Sequence, residues 1–454
     1  MDTTPSAKSV WTLAIDRKRA AIAVAILFNL LLVSTLLIAA IWREPGLRLA
    51  VLAAWAAMSV ALLFLVTTAK RFARTLEFEM IAQENHYVQA FTHLMVILYW
   101  GLWWREVYSH FILVLVQIVF AYNFEMLLCW FRRQKWRFGF GPFPVVFSMN
   151  FFLWFTDKWF CLQLLMLAVS YLAKTYLTWN KNGRRTHIFN PSGFSLTLAS
   201  VLLLATGAFQ VTQSDSLIPS FSIPLNMSQY LFLIILFSNA KFSTTLITGG
   251  AGVTMIVLHI VLVAVTGYPL LPRPFDSQVL LGAGLLVTDP ATSPTNKAGR
   301  ALFGIAYGAL VYLFAALLHL SGSPGYFDKI LPVTILNLLV PWFNSRGTRL
   351  SSLLYDRVRA VAVVVRQRAV HLLVWATCFV WATPLFIHEN FPVLIPAPTL
   401  ATNITAAEIE TLRKQSGRRC IKYPNMCRPF GFGAELKYWI GPERQEELSA
   451  LEGQ

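Results

Sequence analysis

From Ala20 to Trp42 the chain runs for 23 residues without a charged side chain, and further long apolar runs follow along most of its length. A helix rises about 1.5 Å per residue, so roughly 20 apolar residues match the hydrocarbon layer of a bilayer. Inside that layer every backbone polar group must be paired within the protein, which leaves helices or closed barrels, and runs this long and continuous suit helices. The sequence therefore predicts an all-α polytopic membrane protein. Its 13% of charged residues, against 56% hydrophobic, lie well below the roughly 25% charged of a soluble domain, and the mean hydropathy is +0.57. No small-residue cleavage site separates the first run from the next charge, so it reads as a retained helix rather than a signal peptide.

Candidate spans are 20–42, 49–68, 90–104, 107–130, 138–156, 159–177, 192–210, 226–240, 249–267, 277–288, 301–320, 330–343 and 369–387. This makes about 10–13 transmembrane helices, because 90–104, 138–156 and 277–288 are short or polar enough to re-enter instead of crossing. Residues 71–89 are too polar to span and read as a surface helix or lead-in. The net charge of +16 sits in short loops, at 70–74, 132–137, 181–185, 297–300 and 346–368. Alternating the crossings puts all five loops on the side of the N-terminus, the pattern of a cytoplasmic face. That placement removes nucleic acid as a partner and predicts a multi-pass inner-membrane protein with a cytoplasmic N-terminus and a periplasmic C-terminus. Four regions follow: N-terminal helices over 1–180, a core over 181–345, a basic linker and last helix over 346–388, and an extracytoplasmic tail over 389–454.

The core is bracketed by two polar signatures, THIFNPSGF (Thr186–Phe194) and TDPATSPTNKAGR (Thr288–Arg300), with only Asp215, Lys241, Arg273 and Asp276 charged between them. Asn190-Pro191-Ser192-Gly193 is a helix start: Asn caps free N–H groups, and Pro loses nothing at the first helical position. Thr288 and Asp289 can cap the turn opened by Pro290, and Ser293-Pro294-Thr295-Asn296 offers a second cap. Two such turns side by side would favour an anion or an electron-rich carbonyl, while each taken alone is an ordinary loop-to-helix cap. Interrupted helices with polar mouths are also how membrane transporters build a midplane site.

Other polar residues stand out against the apolar background. Lys241 lies among Ser238, Asn239, Ser243, Thr244, Thr245 and Thr248 in an otherwise apolar hairpin, where it either snorkels to the interface or meets Asp289 or a phosphate. Glu125, near the end of the fourth span, marks an ion path or pairs with a nearby Arg. The eight His form no metal-binding pair, and no Walker, Rossmann or serine-hydrolase signature is present. Cys420 and Cys427, in CIKYPNMC, read as a disulfide in an oxidising compartment.

NPSGF, LLVTDPATSPTNKAGRALFGIAYGAL (Leu285–Leu310) and PGYFDKILPVTILNLLVPWFNS (Pro324–Ser345) together resemble the RnfD/NqrB family of membrane subunits, and within it the divergent UnbU-like branch named for enediyne biosynthesis clusters. The likeness implies a pseudo-repeated core with interrupted helices, housing flavin and passing electrons across the membrane with coupled ion movement. Carried over by position, Asn190, Pro191, Thr288, Asp289, Pro290, Ser293, Pro294, Asn337 and Pro341 shape that core. The expected cofactor-binding set is Asn190, Pro191, Ser192, Lys241, Thr288, Asp289, Ser293, Thr295 and Asn337. Redox members carry FMN on a Thr of a Ser-Gly-Ala-Thr-like motif, and the corresponding loop here, Gly207–Leu225, has Thr212 but no Gly-Ala-Thr. A covalent link is therefore not expected, and FMN or riboflavin would be held noncovalently. Implied partners are membrane lipid, other membrane or periplasmic subunits, and quinone. Two readings from other classes stay open: a small-solute or ion transporter, and a membrane scaffold for an extracytoplasmic protein.

Overall fold

The computed structural model describes residues 9–15, 18–69, 77–181, 183–224, 227–267, 270–271 and 276–358. The expected span 369–387 and both Cys420 and Cys427 lie outside the described residues. A short strand β1 (Ser9–Ile15) precedes the first apolar run, which folds as α1 (Lys18–Ser34), a 3-10 turn at Thr35–Leu37 and α2 (Ala39–Arg43). The break has a local cause. Ser34 and Thr35 turn their hydroxyls back onto the carbonyls of Leu31 (2.9 Å) and Leu32 (2.7 Å), competing with the helical ladder. Helix α3 (Pro45–Ala69) opens on Pro and packs beside α1 through Asn29, whose Nδ2 donates to Ser59 Oγ at 3.1 Å.

Where a surface helix or lead-in was expected over 71–89, residues 78–83 form strand β2 (Phe78–Gln83), antiparallel to β1 and parallel to β3 (Trp136–Phe138). The alternation that a helical reading passes over explains this. Phe78 packs against Trp136 at 5.1 Å between ring centres, while Glu79 faces Lys135 (3.5 Å) and Arg137 (3.7 Å). Helices α4 (Glu84–Trp103), α5 (Glu106–Phe131), α6 (Pro142–Asn150) and α7 (Phe160–Tyr176) follow. A second sheet then forms from β4 (Thr178–Lys181) and β5 (Arg184–His187), a hairpin whose Asn-Gly pair at 182–183 is a turn signal in its own right. The core comprises α8 (Pro191–Thr206), α9 (Ser214–Ser220), α10 (Met227–Phe242), α11 (Thr245–Thr266), α12 (Ser277–Leu281), α13 (Lys297–Leu320), α14 (Leu331–Leu338) and α15 (Val340–Val358). Basic residues 346–358, expected in a linker, thus continue a helix.

Among the described residues, α3, α5, α7, α11 and α13 are long and apolar enough to cross a membrane, and Ile22–Leu37, Pro191–Thr206 and Ser277–Leu286 are shorter apolar helices. The expected run 138–156 yields only the nine residues of α6, about 14 Å long. Helix α12 continues as one π turn, Gly282–Leu286, and the ten residues together reach about 15 Å, half a bilayer. Between α4, α5 and α6 the interior carries a few paired polar groups. Asn150 Nδ2 donates to Gln117 Oε1 (2.8 Å), Asn150 Oδ1 lies 3.0 Å from His110 Nε2, and His93 Nε2 lies 3.1 Å from Ser148 Oγ. His110 also stacks on Trp154 with ring centres 3.7 Å apart. Polar side chains so enclosed belong to the packing of this half.

Among the described residues, the most extensive helix contact is that of α11 with α13. A Cβ on Gly250 would stand 2.7 Å from the Ala301 carbonyl oxygen, one on Gly308 2.8 Å from that of Ala251, and one on Gly304 would collide with the Ile247 carbonyl. Small residues here let two backbones touch, which is how helices associate where no hydrophobic effect drives them. Gly304→Val should lower stability by about 1–3 kcal/mol, read by thermal unfolding in detergent. Gly249→Ala, where nothing lies within 4 Å, should not lower it.

Candidate functional site

Helix α12 and its π turn stop inside the protein, and the last carbonyls of a helix have no partner within it. Side chains from α11, from the start of α8 and from the loop that follows supply the missing donors. Thr248 of α11 donates to the Ala283 carbonyl at 2.9 Å, Thr288 to Gly284 at 2.6 Å, and Asn190 Nδ2 to Leu286 at 2.8 Å. Thr248 is itself fixed by Asn239 Nδ2 at 2.7 Å, and Asn239 in turn accepts from Thr244 at 2.8 Å. The polar cluster of the α10–α11 hairpin therefore serves the broken helix.

Asn190 also starts α8. Its Oδ1 accepts from Gly193 N (3.2 Å) and Ser192 Oγ (2.9 Å), with Pro191 in the first helical position. One amide thus closes the C-terminal end of one helix and the N-terminal end of another. Its backbone N–H donates to Asn337 Oδ1 at 3.0 Å, and Asn337 Nδ2 donates to the Thr292 carbonyl at 3.2 Å. All three sequence signatures meet at this point, and Asn190, Ser192, Thr288, Ser293 and Asn337 are buried there.

The loop that follows is held along its length. Asp289 accepts from Ala291 N (3.2 Å) and Thr292 Oγ1 (3.0 Å), and His187 Nε2 lies 3.6 Å from its Oδ2. Burial alone would push this carboxyl up, but His187 and the two donated hydrogen bonds outweigh it and hold the group below the ordinary carboxylate range. Asp289 therefore contributes stability above the unfolded carboxyl pKa, lost as pH falls through its folded value. Thr288, expected to cap forward, bonds backward to the helix instead. Thr295 donates through N (2.8 Å) and Oγ1 (3.1 Å) to Asn344 Oδ1, and Asn296 caps α13 by accepting from Gly299 N at 2.6 Å. Lys181, on the β4–β5 hairpin, donates to the carbonyls of Ala291 (2.9 Å) and Ser293 (2.7 Å).

Two candidates stand apart from this junction. Lys241 is ion-paired with Glu84 at the start of α4, not with Asp289. Glu125 pairs with Lys174 of α7 at 2.7 Å, a helix lysine in place of the expected Arg, and Lys174 also lies 5.3 Å from the centre of the Tyr171 ring. Burial pushes His86 down to about 4, with Lys174 adding to the shift and Asp289 opposing it. Sequence reasoning missed Lys181, Asn344 and Thr292. Lys181 and Asn344 lie far along the chain from the residues they hold. His187, quoted within the first signature, carried no role in that reading. Among the described residues no group of His, Cys, Asp and Glu has the geometry of a metal site.

The donors at the two turns are thus largely spent on protein acceptors. Two buried hydroxyls, Ser293 Oγ and Thr186 Oγ1, have no hydrogen-bond partner. Residues 227–346 match the NQR2, RnfD, RnfE family, a stretch that takes in the second and third signatures but not Asn190. Over 68 residues the chain is 38% identical to a subunit of the ion-translocating oxidoreductase complex of Pseudomonas paraeruginosa. That alignment covers 15% of this chain and 18% of the relative, and neither match singles out an UnbU-like branch.

Asn337→Ala should cost about 1–3 kcal/mol by leaving the Asn190 N–H and the Thr292 carbonyl buried and unpaired, measured by unfolding in detergent. Lys174→Met, which strands Glu125, should cost more, about 3–5 kcal/mol, and Glu125→Gln in the same chain should restore part of it.

Proposed function

We propose that this chain is a membrane subunit of an electron-transfer complex, binding flavin noncovalently, with electron flow coupled to ion movement. The observation that carries the reading is the family match over residues 227–346, which takes in two of the three signatures that meet at the junction. The second and third signatures, which fall in the stretch matching the NQR2, RnfD, RnfE family, are hydrogen-bonded to each other through Asn337 and Thr292 and to the first through Asn190. The similar Pseudomonas protein, a component of an ion-translocating oxidoreductase complex, points to the same activity.

The flavin does not fit the two turns. An FMN phosphate placed there would meet the Asp289 carboxylate, and Gly193 N, Ala291 N and Thr295 N already donate to protein oxygens. Asn190, Thr288, Asp289, Thr295 and Asn337 are thus architectural in this reading, holding helix ends rather than a cofactor. Nor does Thr212 stand ready for a covalent link, since its hydroxyl is engaged with the Phe209 carbonyl (2.8 Å) and Ser214 Oγ (3.1 Å). Ion coupling rests on Glu125, whose charge Lys174 neutralises between α5 and α7. On this reading, favoured by the positive charge between the apolar runs, the N-terminus is cytoplasmic and the tail periplasmic, with further membrane subunits and quinone as the partners.

Purification of the full chain with its native membrane partners, followed by a visible spectrum, acid denaturation and intact mass, tests this. Expected are a flavin spectrum, stoichiometric release of flavin on denaturation, and a polypeptide of unmodified mass. Flavin that stays on the denatured chain overturns the noncovalent binding. A colourless complex that moves solute in vesicles overturns the electron-transfer reading and supports the transporter.

A further inference from the structure

Two of the long apolar helices end side by side, α5 on Phe131 and α7 on Tyr176. Arg132 ties the two ends: its Nη1 donates to the Thr175 carbonyl at 2.6 Å, while the guanidinium lies 4.7 Å from the centre of the Tyr176 ring. A guanidinium carries five N–H donors in a planar fork, and the Thr175 bond engages one of its nitrogens. The surface around it is apolar, with Phe131 46%, Tyr176 48% and Leu177 38% exposed. Aromatic side chains at the ends of spanning helices sit at the level of lipid headgroups. Arg133 follows, exposed, with its backbone in the left-handed region at φ 57°. Gln134 N donates to the Cys129 carbonyl (2.8 Å) and Arg133 N to that of Trp130 (3.1 Å), a helix-closing turn whose left-handed position favours glycine. An arginine there carries backbone strain that a glycine would not.

The charge at this corner is unbalanced. Glu125 is taken by Lys174, Glu79 is shared by Lys135 and Arg137, and among the described residues no carboxylate pairs with Arg132 or Arg133. We propose that the joined ends of α5 and α7 form a seat for an anionic phospholipid of the surrounding bilayer. Arg132 and Arg133 take its phosphodiester, and Phe131, Tyr176 and Leu177 lie against the start of its acyl chains. Arginine forks match phosphate oxygens two at a time and stack on aromatic rings, and one already held by a carbonyl and a ring face needs little further ordering. The apolar rim selects a lipid over free phosphate. The unbalanced positive charge selects a net anion over a zwitterion, which brings its own cation. The seat does not depend on the electron-transfer reading.

The test is thermal unfolding of the full chain in neutral detergent doped with phosphatidylglycerol, phosphatidylcholine or inorganic phosphate, for wild type, Arg132→Gln, Arg133→Gly and Arg349→Gln. A ligand that binds only the folded state raises Tm with concentration. Phosphatidylglycerol should raise the wild-type Tm by a few degrees, saturably and less at high salt, while phosphatidylcholine and inorganic phosphate should not. Arg133→Gly should be at least as stable as wild type in detergent alone, because the strain is gone, yet gain only about half as much from phosphatidylglycerol. It keeps the test readable should Arg132→Gln, which loses the Thr175 bond, fail to fold. Arg349→Gln removes an exposed cation of α15 and should keep the full gain. An equal loss in Arg349→Gln would mean diffuse attraction of anionic micelles to a chain of net charge +16, and would overturn the seat. So would a full gain in Arg133→Gly, a wild type that does not distinguish the two lipids, or an equal rise in inorganic phosphate.

Discussion

Stopping a helix inside a membrane protein leaves carbonyl oxygens with no water to turn to, and each such group left unpaired costs several kcal/mol. Here α12 and its π turn stop after ten residues, and the Ala283, Gly284 and Leu286 carbonyls are met by Thr248, Thr288 and Asn190. Those three donors come from α11, from the loop itself and from the start of α8. The broken helix therefore fixes where α8 and α11 must stand. Asn337 then ties the same point to α14, so a local backbone requirement becomes the tertiary organisation of the core.

Several features were readable in the chain because they depend on near neighbours. The long apolar helices α5, α11 and α13 follow from run length, and Asn190-Pro191 states its own cap. What could not be read was how the cap is spent twice, since the Leu286 carbonyl lies 96 residues away in sequence. Lys181 illustrates the same limit: as one cation of a basic loop it suggests only a side of the membrane, while its bonds reach Ala291 and Ser293, 110 and 112 residues further on. Strand β2 was missed for another reason. Its alternation covers six residues, too few to stand out beside the helical periodicity that follows it. Lys241 met Glu84, a charge that the sequence places in a lead-in segment with no assigned geometry.

The arrangement separates two roles that sequence signatures tend to merge. Polar residues around a break in a membrane helix suggest a ligand, and in this core they are consumed in holding the break itself. Thr288, Thr295, Asn190 and Asn337 make protein-to-protein hydrogen bonds, and Asp289 is satisfied by His187, Ala291 and Thr292. A flavin in such a subunit would rely on the junction for the position of its surroundings, and on other side chains for its contacts. Charge is handled the same way at the other sites, with Glu125 given to Lys174 and Glu84 to Lys241. The Glu125–Lys174 pair, the more enclosed of the two, sets geometry more than it adds stability.

Asn190 and Asn337 act as one unit joining the broken helix to α8 and α14. A double-mutant cycle of Asn190→Ala and Asn337→Ala, read by reversible unfolding in mixed detergent, measures that through the Asn190 backbone, whose N–H donates to Asn337 Oδ1 and whose position the Asn190 side chain holds. The two residues should couple by about 0.5–3 kcal/mol, so that the double variant loses clearly less than the two single losses added together. Losses that add to within about 0.5 kcal/mol would mean the two asparagines act independently, and their junction would not be what holds the core.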